Sequence, residues 1–218
     1  LLASLKPENV EELLVECPEE ILKEHPFAIL VLMRSMFNWK KIPQMMKLKE
    51  ILLQSVEDHI EMTREERGNL LGECDLILSF LMYNDISKMS QLHRSASAQM
   101  SRPAISIQSN CGWTFGSPSV LMMFHRDAGS LDQELKEMNE CMPHYYKITN
   151  GHGQGAEMLM AAEAKYMQGH MVDAQIELEQ VYSHIEGNNQ ENIRLCCDFL
   201  ALRLALLAGF SVRQTIEQ

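Results

Sequence analysis

Eight histidines, six cysteines and thirty Asp and Glu carboxylates are the side chains of this 218-residue chain that could bind a metal, attack a carbonyl or move a proton. The cysteines are Cys17, Cys74, Cys111, Cys141, Cys196 and Cys197. None forms a CxxC pair, and adjacent Cys196 and Cys197 have poor geometry for bridging each other. There is no HExxH, and no histidine pair stands at zinc-ligand spacing with a cysteine nearby, so no metal or other cofactor is expected. His125, His144 and His152 fall near two irregular stretches and could converge there, although structural histidines are the commoner case. Gly116-Ser-Pro-Ser119 lacks the second glycine and the strand of a nucleophile elbow, so Ser117 reads as a helix N-cap with Pro118 in the first helical position. Gly151-His-Gly-Gln-Gly155 has no strand before it and no Lys-Ser/Thr after it, which excludes a P-loop. It is either a plain helix connection or a ligand-contacting loop whose bare N–H groups precede a helix. Glu157 and Glu163 could touch such a ligand, but acidic residues early in a helix are explained by the macrodipole. No nucleophile, base and orienting group are spelled out together, and the chain is not read as an enzyme.

The elements that must hold these residues are helices. No period-2 alternation occurs, and apolar residues recur at three or four. Pro7 to Val15 forms a first short helix with Ser4 as its cap, and Pro18 and Pro26 bracket a second. Further helices run from Pro26 to Asn38 and from Pro43 to Met62, the latter with Met45, Leu48, Leu52, Val56 and Ile60 on one face. Thr63-Arg-Glu-Glu66 is a capping box that opens the next, and Asp85 caps a helix from Ile86 to Gln99. Residues 100 to 119 break the pattern with two prolines, two glycines and five serines, a length that wants a reason inside a compact domain. Helices return at Val120–Arg126 and Leu131–Ile148, with Asp132–Glu140 a solvated face and Leu135 and Met138 inward. A second loop, Thr149 to Gly155, leads to three regular helices, Ala156–Gln168, Met171–Ile185 and Gln190–Ala208, with turns at Gly169, Gly187 and Gly209. The first aligns Met160, Ala161, Ala164 and Met167, and the second Ala174, Leu178, Val181 and Ile185. Ala162, Gly169 and Ala174 follow tetratricopeptide logic: small residues where helices cross, and glycine at the turn. Helix starts near Phe27 and Arg64, and near Glu157 and Gln190, recur at intervals of about 33 to 38 residues.

The expected fold is all-α: a TPR-like superhelix of antiparallel helix hairpins with degenerate repeats. Residues 1–218 are taken as a single helical-repeat domain, with N-terminal helix pairs over 1–100, an irregular loop over 100–119 and C-terminal TPR-like repeats over 120–218. Composition agrees, at 46% apolar and 22% charged. Nineteen basic against thirty acidic residues leave −11, which argues against gripping phosphate backbones. The longest apolar run, Phe27 to Met33, stops at Arg34, so no membrane-spanning helix is expected. Sixteen methionines suit core filling or an adaptable groove. Unpaired cysteines indicate a reducing, cytoplasmic compartment. No signal peptide is visible at the start, and a start without Met points either to a piece of a longer protein or to disordered first residues.

The second half carries a family resemblance. Its residues are Phe115-Gly-Ser-Pro-Ser119, Phe124-His-Arg126, Gly129, Pro143-His-Tyr-Tyr146, Thr149-Asn-Gly-His-Gly-Gln-Gly-Ala-Glu157 and Ala162-Glu163-Ala164. Gly169, Ala174, Asn189-Gln190, Phe199 and Arg203 complete the set. Over about residues 113 to 209 the chain resembles the helical-repeat region of MalT-like, LuxR-type bacterial transcriptional regulators. In such proteins an NTPase precedes the repeats and a helix-turn-helix follows them. This chain has no Walker A motif, and only nine residues follow Gly209. The resemblance therefore implies the sensor region alone, binding an effector or partner and relaying that event to NTPase and helix-turn-helix domains. The alternative is a pure protein-interaction scaffold with no small-molecule ligand. Expected partners are a small-molecule effector or a protein, with self-association allowed, no nucleic acid bound directly and no membrane.

A ligand site is placed where the two irregular loops approach the following helices. Trp113, Phe115, Tyr145 and Tyr146 would be its apolar walls, and Ser117, His125, Arg126, Asn150, His152 and Glu157 its polar contacts. The competing role for the same residues is loop anchoring. The cysteine pattern makes a direct prediction: titration in denaturant without reductant should find six free thiols, and four or fewer would overturn the reducing-compartment assignment.

Overall fold

The computed structural model describes residues 6–107, 112–113 and 116–208. Among these residues the chain forms eleven α-helices and no strand. The expected cap Ser4, the wall residue Phe115, the thiol of Cys111 and the turn at Gly209 lie outside the described residues. No helix among the described residues is long and apolar enough to cross a membrane. The chain divides into two compact units, residues 1–78 with 95–106, and residues 79–94 with 107–218.

In the first unit, α1 (Pro7–Glu16), α2 (Glu19–Lys23) and α3 (Pro26–Asn38) each begin at or just after a proline. Proline loses nothing there because the first helical N–H groups have no partner in any case. α3 buries Ile29, Leu30, Met33 and Met36 against Met45, Leu48, Leu52 and Val56 of α4 (Ile42–Asp58). The spacing that extended α4 to Met62 is corrected. His59 leaves helical geometry, its Nδ1 meets the Ser55 carbonyl at 2.7 Å, and Ile60 stands 87% exposed. The capping box forms as read: Glu66 N donates to Thr63 Oγ1 at 3.1 Å, and Thr63 N to Glu66 Oε2 at 2.9 Å. It opens α5 (Arg64–Ser79), which ends in a 3-10 turn, Phe80–Met82. Asp85 Oδ1 then accepts from Lys88 N at 3.0 Å and caps α6 (Ile86–Gln99), which is divided between the units after Arg94.

Gly68 and Gly72, one turn apart on α5, let the two helices approach closely. A Cβ on Gly68 would stand 2.7 Å from the Gln99 carbonyl oxygen, and one on Gly72 2.5 Å from Met100 Cγ. Beyond α6, Asn69 holds the first residues of the irregular stretch, donating to Ser101 Oγ at 3.0 Å and accepting from Ser101 N at 2.9 Å. Glu73, fully buried, accepts from Ser106 N at 2.7 Å and from Arg102 Nη1 at 3.4 Å.

In the second unit, α7 (Val120–Phe124) and α8 (Leu131–Ile148) precede α9 (Ala156–Met167), α10 (Met171–Ile185) and α11 (Glu191–Leu207). Ala162 and Ala174 are fully buried and Gly169 takes φ +86°, which a side chain would resist. Ala174, Leu178, Val181 and Ile185 form the buried face of α10 as the spacing predicts. Met167 is corrected: it ends α9 and is 59% exposed.

Gly68→Ala tests the close crossing in the first unit. Helix propensity alone would gain about 1 kcal/mol. The contact with a backbone oxygen should reverse that to a loss of about 1 to 3 kcal/mol in urea unfolding, and a stabilised variant would contradict it.

Candidate functional site

The connector between α8 and α9 holds most of the expected site residues, and its backbone explains why it is rich in glycine. Asn150, Gly151, Gly153 and Gly155 all have positive φ, between 54° and 95°. Gly153 faces the indole of Trp113 so closely that a Cβ would lie 2.1 Å from Cδ1 and Nε1. Trp113 is buried, and its ring lies 6.0 Å from that of Phe124. Trp113 therefore packs its stretch of chain on the Thr149–Gly155 connector.

The polar groups of the connector are answered from within the unit. His152 is buried and its Nδ1 lies 2.7 Å from the hydroxyl of buried Tyr145, while Thr149 Oγ1 donates to the Tyr145 carbonyl at 2.8 Å. Gln190, ahead of α11, grips the loop with both ends of its amide: Gly153 N donates to Oε1 at 3.1 Å, and Nε2 donates to the Gly151 carbonyl at 2.8 Å. Tyr146 donates to the Glu157 carboxylate. Burial first, and then Glu157, push the Tyr146 phenol well above its ordinary range. The bare N–H groups proposed for this loop are not bare. Gly151 N donates to the Tyr146 carbonyl, His152 N to that of Thr149, and Gln154 N to that of Gly151. A loop whose donors are spent internally cannot cradle an anion.

α7 is held at both ends. Ser119, not Ser117, is its N-cap, with Met122 N donating to Ser119 Oγ at 3.1 Å. Ser117 instead folds back locally, its Oγ donating to the Ser119 carbonyl at 2.7 Å, because the helix starts two residues later than the proline suggested. Glu163 comes up from the middle of α9 and accepts from Leu121 N at 2.7 Å. It is 1% exposed, and its other oxygen, Oε1, has no partner among the described residues. The macrodipole account of Glu163 is therefore corrected: it is no first-turn residue, and its role is to hold a neighbouring helix start. Burial raises its pKa, against the opposing hydrogen bonds from Leu121 and Ser119. At the far end of α7, Arg126 donates to the carbonyls of Met122, Met123 and His125 at 2.6 to 2.8 Å. His125 Nδ1 meets Glu134 Oε2 at 2.5 Å.

Nine of the ten expected residues are among those described, and they fall into groups. Tyr145 pairs with His152 in the connector, Trp113 packs on Gly153, and Tyr146 pairs with Glu157. Asn150 is exposed and supplies a left-handed turn, Ser117 serves the start of α7, and His125 with Arg126 serves its end. The three histidines make separate pairings: His125 with Glu134, His152 with Tyr145, and His144 near enough to influence the charge of His93. His93 is buried, meets Ser79 Oγ at 3.0 Å and stacks at 4.9 Å on Tyr145. Sequence reasoning missed His93 and gave Glu163 the wrong role, because nothing in a helical period marks a polar residue as buried. Gln190 was visible only as part of the family resemblance. Among the described residues no group of three or more His, Cys, Asp or Glu is placed to hold a metal ion. No protein-family model, curated protein or solved structure matches the chain.

Two measurements check this construction. Trp113→Ala should cost about 3 to 5 kcal/mol, as large buried aromatics do, and a cost under about 1 kcal/mol would leave the connector without its clamp. Charge linkage gives the second. Folded Glu163 holds its proton above the ordinary glutamate pKa of 4.5, so its contribution to stability falls as pH rises through that interval. His93, driven down to about 3 by burial and then by His144, contributes fully above 6.5 and is lost as pH falls below it. The stability of Glu163→Gln relative to the native chain should improve as pH rises from about 4.5 toward neutrality. A pH-independent difference would refute the buried-carboxyl account.

Proposed function

We propose that this chain is the sensor and interaction region of a LuxR-type bacterial transcriptional regulator. In this reading it is a TPR-like superhelix, cytoplasmic and without catalytic activity of its own. It binds an effector or partner and relays that event to NTPase and helix-turn-helix domains of the parent protein. One observation carries the reading: the residues on which the resemblance rests are those the fold uses as a joint. Thr149 to Glu157 form the packed connector, Gln190 clamps it, Glu163 fastens α7, and Gly169 and Ala174 set the final hairpin. A connector locked by short polar contacts between helix ends couples those ends, so a ligand that favours one arrangement shifts all of them together.

A second reading, a protein-interaction scaffold, is favoured by the large apolar side chains left outside on α10 and α11, including Val172, Leu195 and Leu206.

A thermal-shift screen with sugars, amino acids and nucleotides separates the two. An effector at about a hundred times its Kd adds about 2.7 kcal/mol, a rise of several degrees for a chain of this size. A flat screen favours the scaffold. A parent reading frame lacking both flanking domains would remove the regulator assignment altogether.

A further inference from the structure

Asn150 and Gly151 form the one Asn-Gly step among the ten asparagines of the chain. An asparagine followed by glycine is chemically unstable in an open chain. The backbone nitrogen of the glycine attacks Cγ of the asparagine, and no side chain on the glycine obstructs it. A bond forms between that nitrogen and Cγ, the bond from Cγ to the side-chain nitrogen breaks, and ammonia leaves with the proton of the backbone N–H. The cyclic imide then takes up one water molecule and opens at either carbonyl, giving aspartate or its isoaspartyl isomer. Water is the only co-reactant, and nothing is oxidised or reduced. Asparagine counts among the thermolabile residues.

The fold takes up the nucleophile of this reaction. α8 ends at its C-cap Thr149, Asn150 follows with φ 54°, and Gly151 N donates to the Tyr146 carbonyl at 2.9 Å. This is a Schellman ending: a left-handed residue just past the cap, and the next N–H turned back onto the last turn of the helix. The other side of Gly151 is held as well. Its carbonyl accepts from Gln190 Nε2 at 2.8 Å and from Gln154 N at 3.1 Å. Asn150 itself is exposed, so water reaches its amide while the neighbouring N–H is spent. An N–H fixed in a hydrogen-bonded turn cannot swing onto the adjacent side chain; the turn must open first.

We propose that Asn150–Gly151 is a self-modification site of this chain, where deamidation is silent while the connector is closed and proceeds when it opens. The change is one-way. The isoaspartyl product carries an extra backbone methylene at the residue that makes the turn, and Gly151 N then no longer meets the Tyr146 carbonyl in register. Both products set a carboxylate just beyond the end of α8, where the last helix carbonyls disfavour negative charge, an effect that Lys147 in the last turn offsets in part. Opening is therefore easier in the modified chain than in the fresh one, and the accumulated acid records how often the connector has opened. The site depends on the connector's geometry alone, so a flat effector screen, which removes the sensor reading, leaves it as it is.

The test incubates the full 218-residue chain at physiological temperature and mildly alkaline pH, and follows the tryptic peptide Ile148–Lys165 by mass spectrometry. Loss of the Asn150 amide should run at least about tenfold slower than in a synthetic peptide of residues 145 to 156, and should match that peptide when the chain is unfolded in urea. Asn189 is also left-handed, at φ 52°, but precedes Gln190 and should stay intact; its loss at the rate of Asn150 would remove the role given to glycine. Gln190→Ala, which frees the Gly151 carbonyl, should deamidate at least about threefold faster than the native chain, with hydrogen exchange at Gly151 raised by a similar factor. Thr149→Ala, which loses its side-chain bond to the Tyr145 carbonyl, is the second clamp variant should Gln190→Ala fail to fold. Asn150→Gly keeps a left-handed residue past the cap, so it should fold with an unchanged melting temperature and yield no acid at that position. A native rate within about twofold of the peptide's would overturn the proposal. So would a folded clamp variant that exchanges faster at Gly151 without deamidating faster, or one in which neither rate rises.

Discussion

The indole of Trp113 rests directly on the backbone of Gly153, with no space for a Cβ between them, and the Thr149–Gly155 connector is shaped by that contact. A large ring can lie on a peptide only where the facing residue has no side chain and its N–H has another partner. Both conditions hold. Gly153 adopts the left-handed conformation and donates to Gln190, whose amide also takes the carbonyl of Gly151. Remove the glycine and the ring must leave; remove the ring and a buried connector opens to water. The chain's most irregular stretch and its most glycine-rich loop are therefore one packing solution.

A related constraint recurs in each unit and is met the same way. Irregular backbone that approaches a core brings N–H groups that no helix supplies with acceptors. In the first unit Glu73, buried on α5, accepts from Ser106 N; in the second Glu163, buried on α9, accepts from Leu121 N. Burying a carboxylate is costly unless it is hydrogen-bonded, and these two are tolerated because they satisfy backbone that would otherwise be orphaned. His93 solves a neighbouring problem differently, remaining neutral where burial forbids its charge. These are structural roles for residue types that a functional search selects first.

Much of the helical layout was legible because its signals are local. The capping box at Thr63, the cap at Asp85 and the prolines opening α1 and α3 act through neighbours within one turn. Local signals also misled where two competed. Pro118 suggested a helix start that Ser119 takes, and the apolar spacing of α4 carried on to Ile60 after His59 had already ended the helix. At the candidate site Trp113 reaches the connector at Gly153, and Tyr145 pairs with His152. The loop's donors go to the Tyr146, Thr149 and Gly151 carbonyls and to the Gln190 amide, which favours the plain-connection reading, and Ser117 and the His125–Arg126 pair serve opposite ends of α7.

The sequence by itself determined that the chain is helical, where most helices begin and end, that residues near 100 to 119 and 149 to 155 interrupt them, and that the surface is acidic. Each of these follows from spacing, capping and composition, which act over a few residues or over the whole chain at once. Tertiary structure alone decided that Glu73, Glu163, His93 and His152 are buried, that Gln190 closes the connector, and that Arg203 stacks on Tyr166 and Phe199. Polar side chains have the same helical periodicity whether they face water or a neighbour's backbone, so only the packing of residues distant in sequence distinguishes a solvated charge from one that holds the fold together.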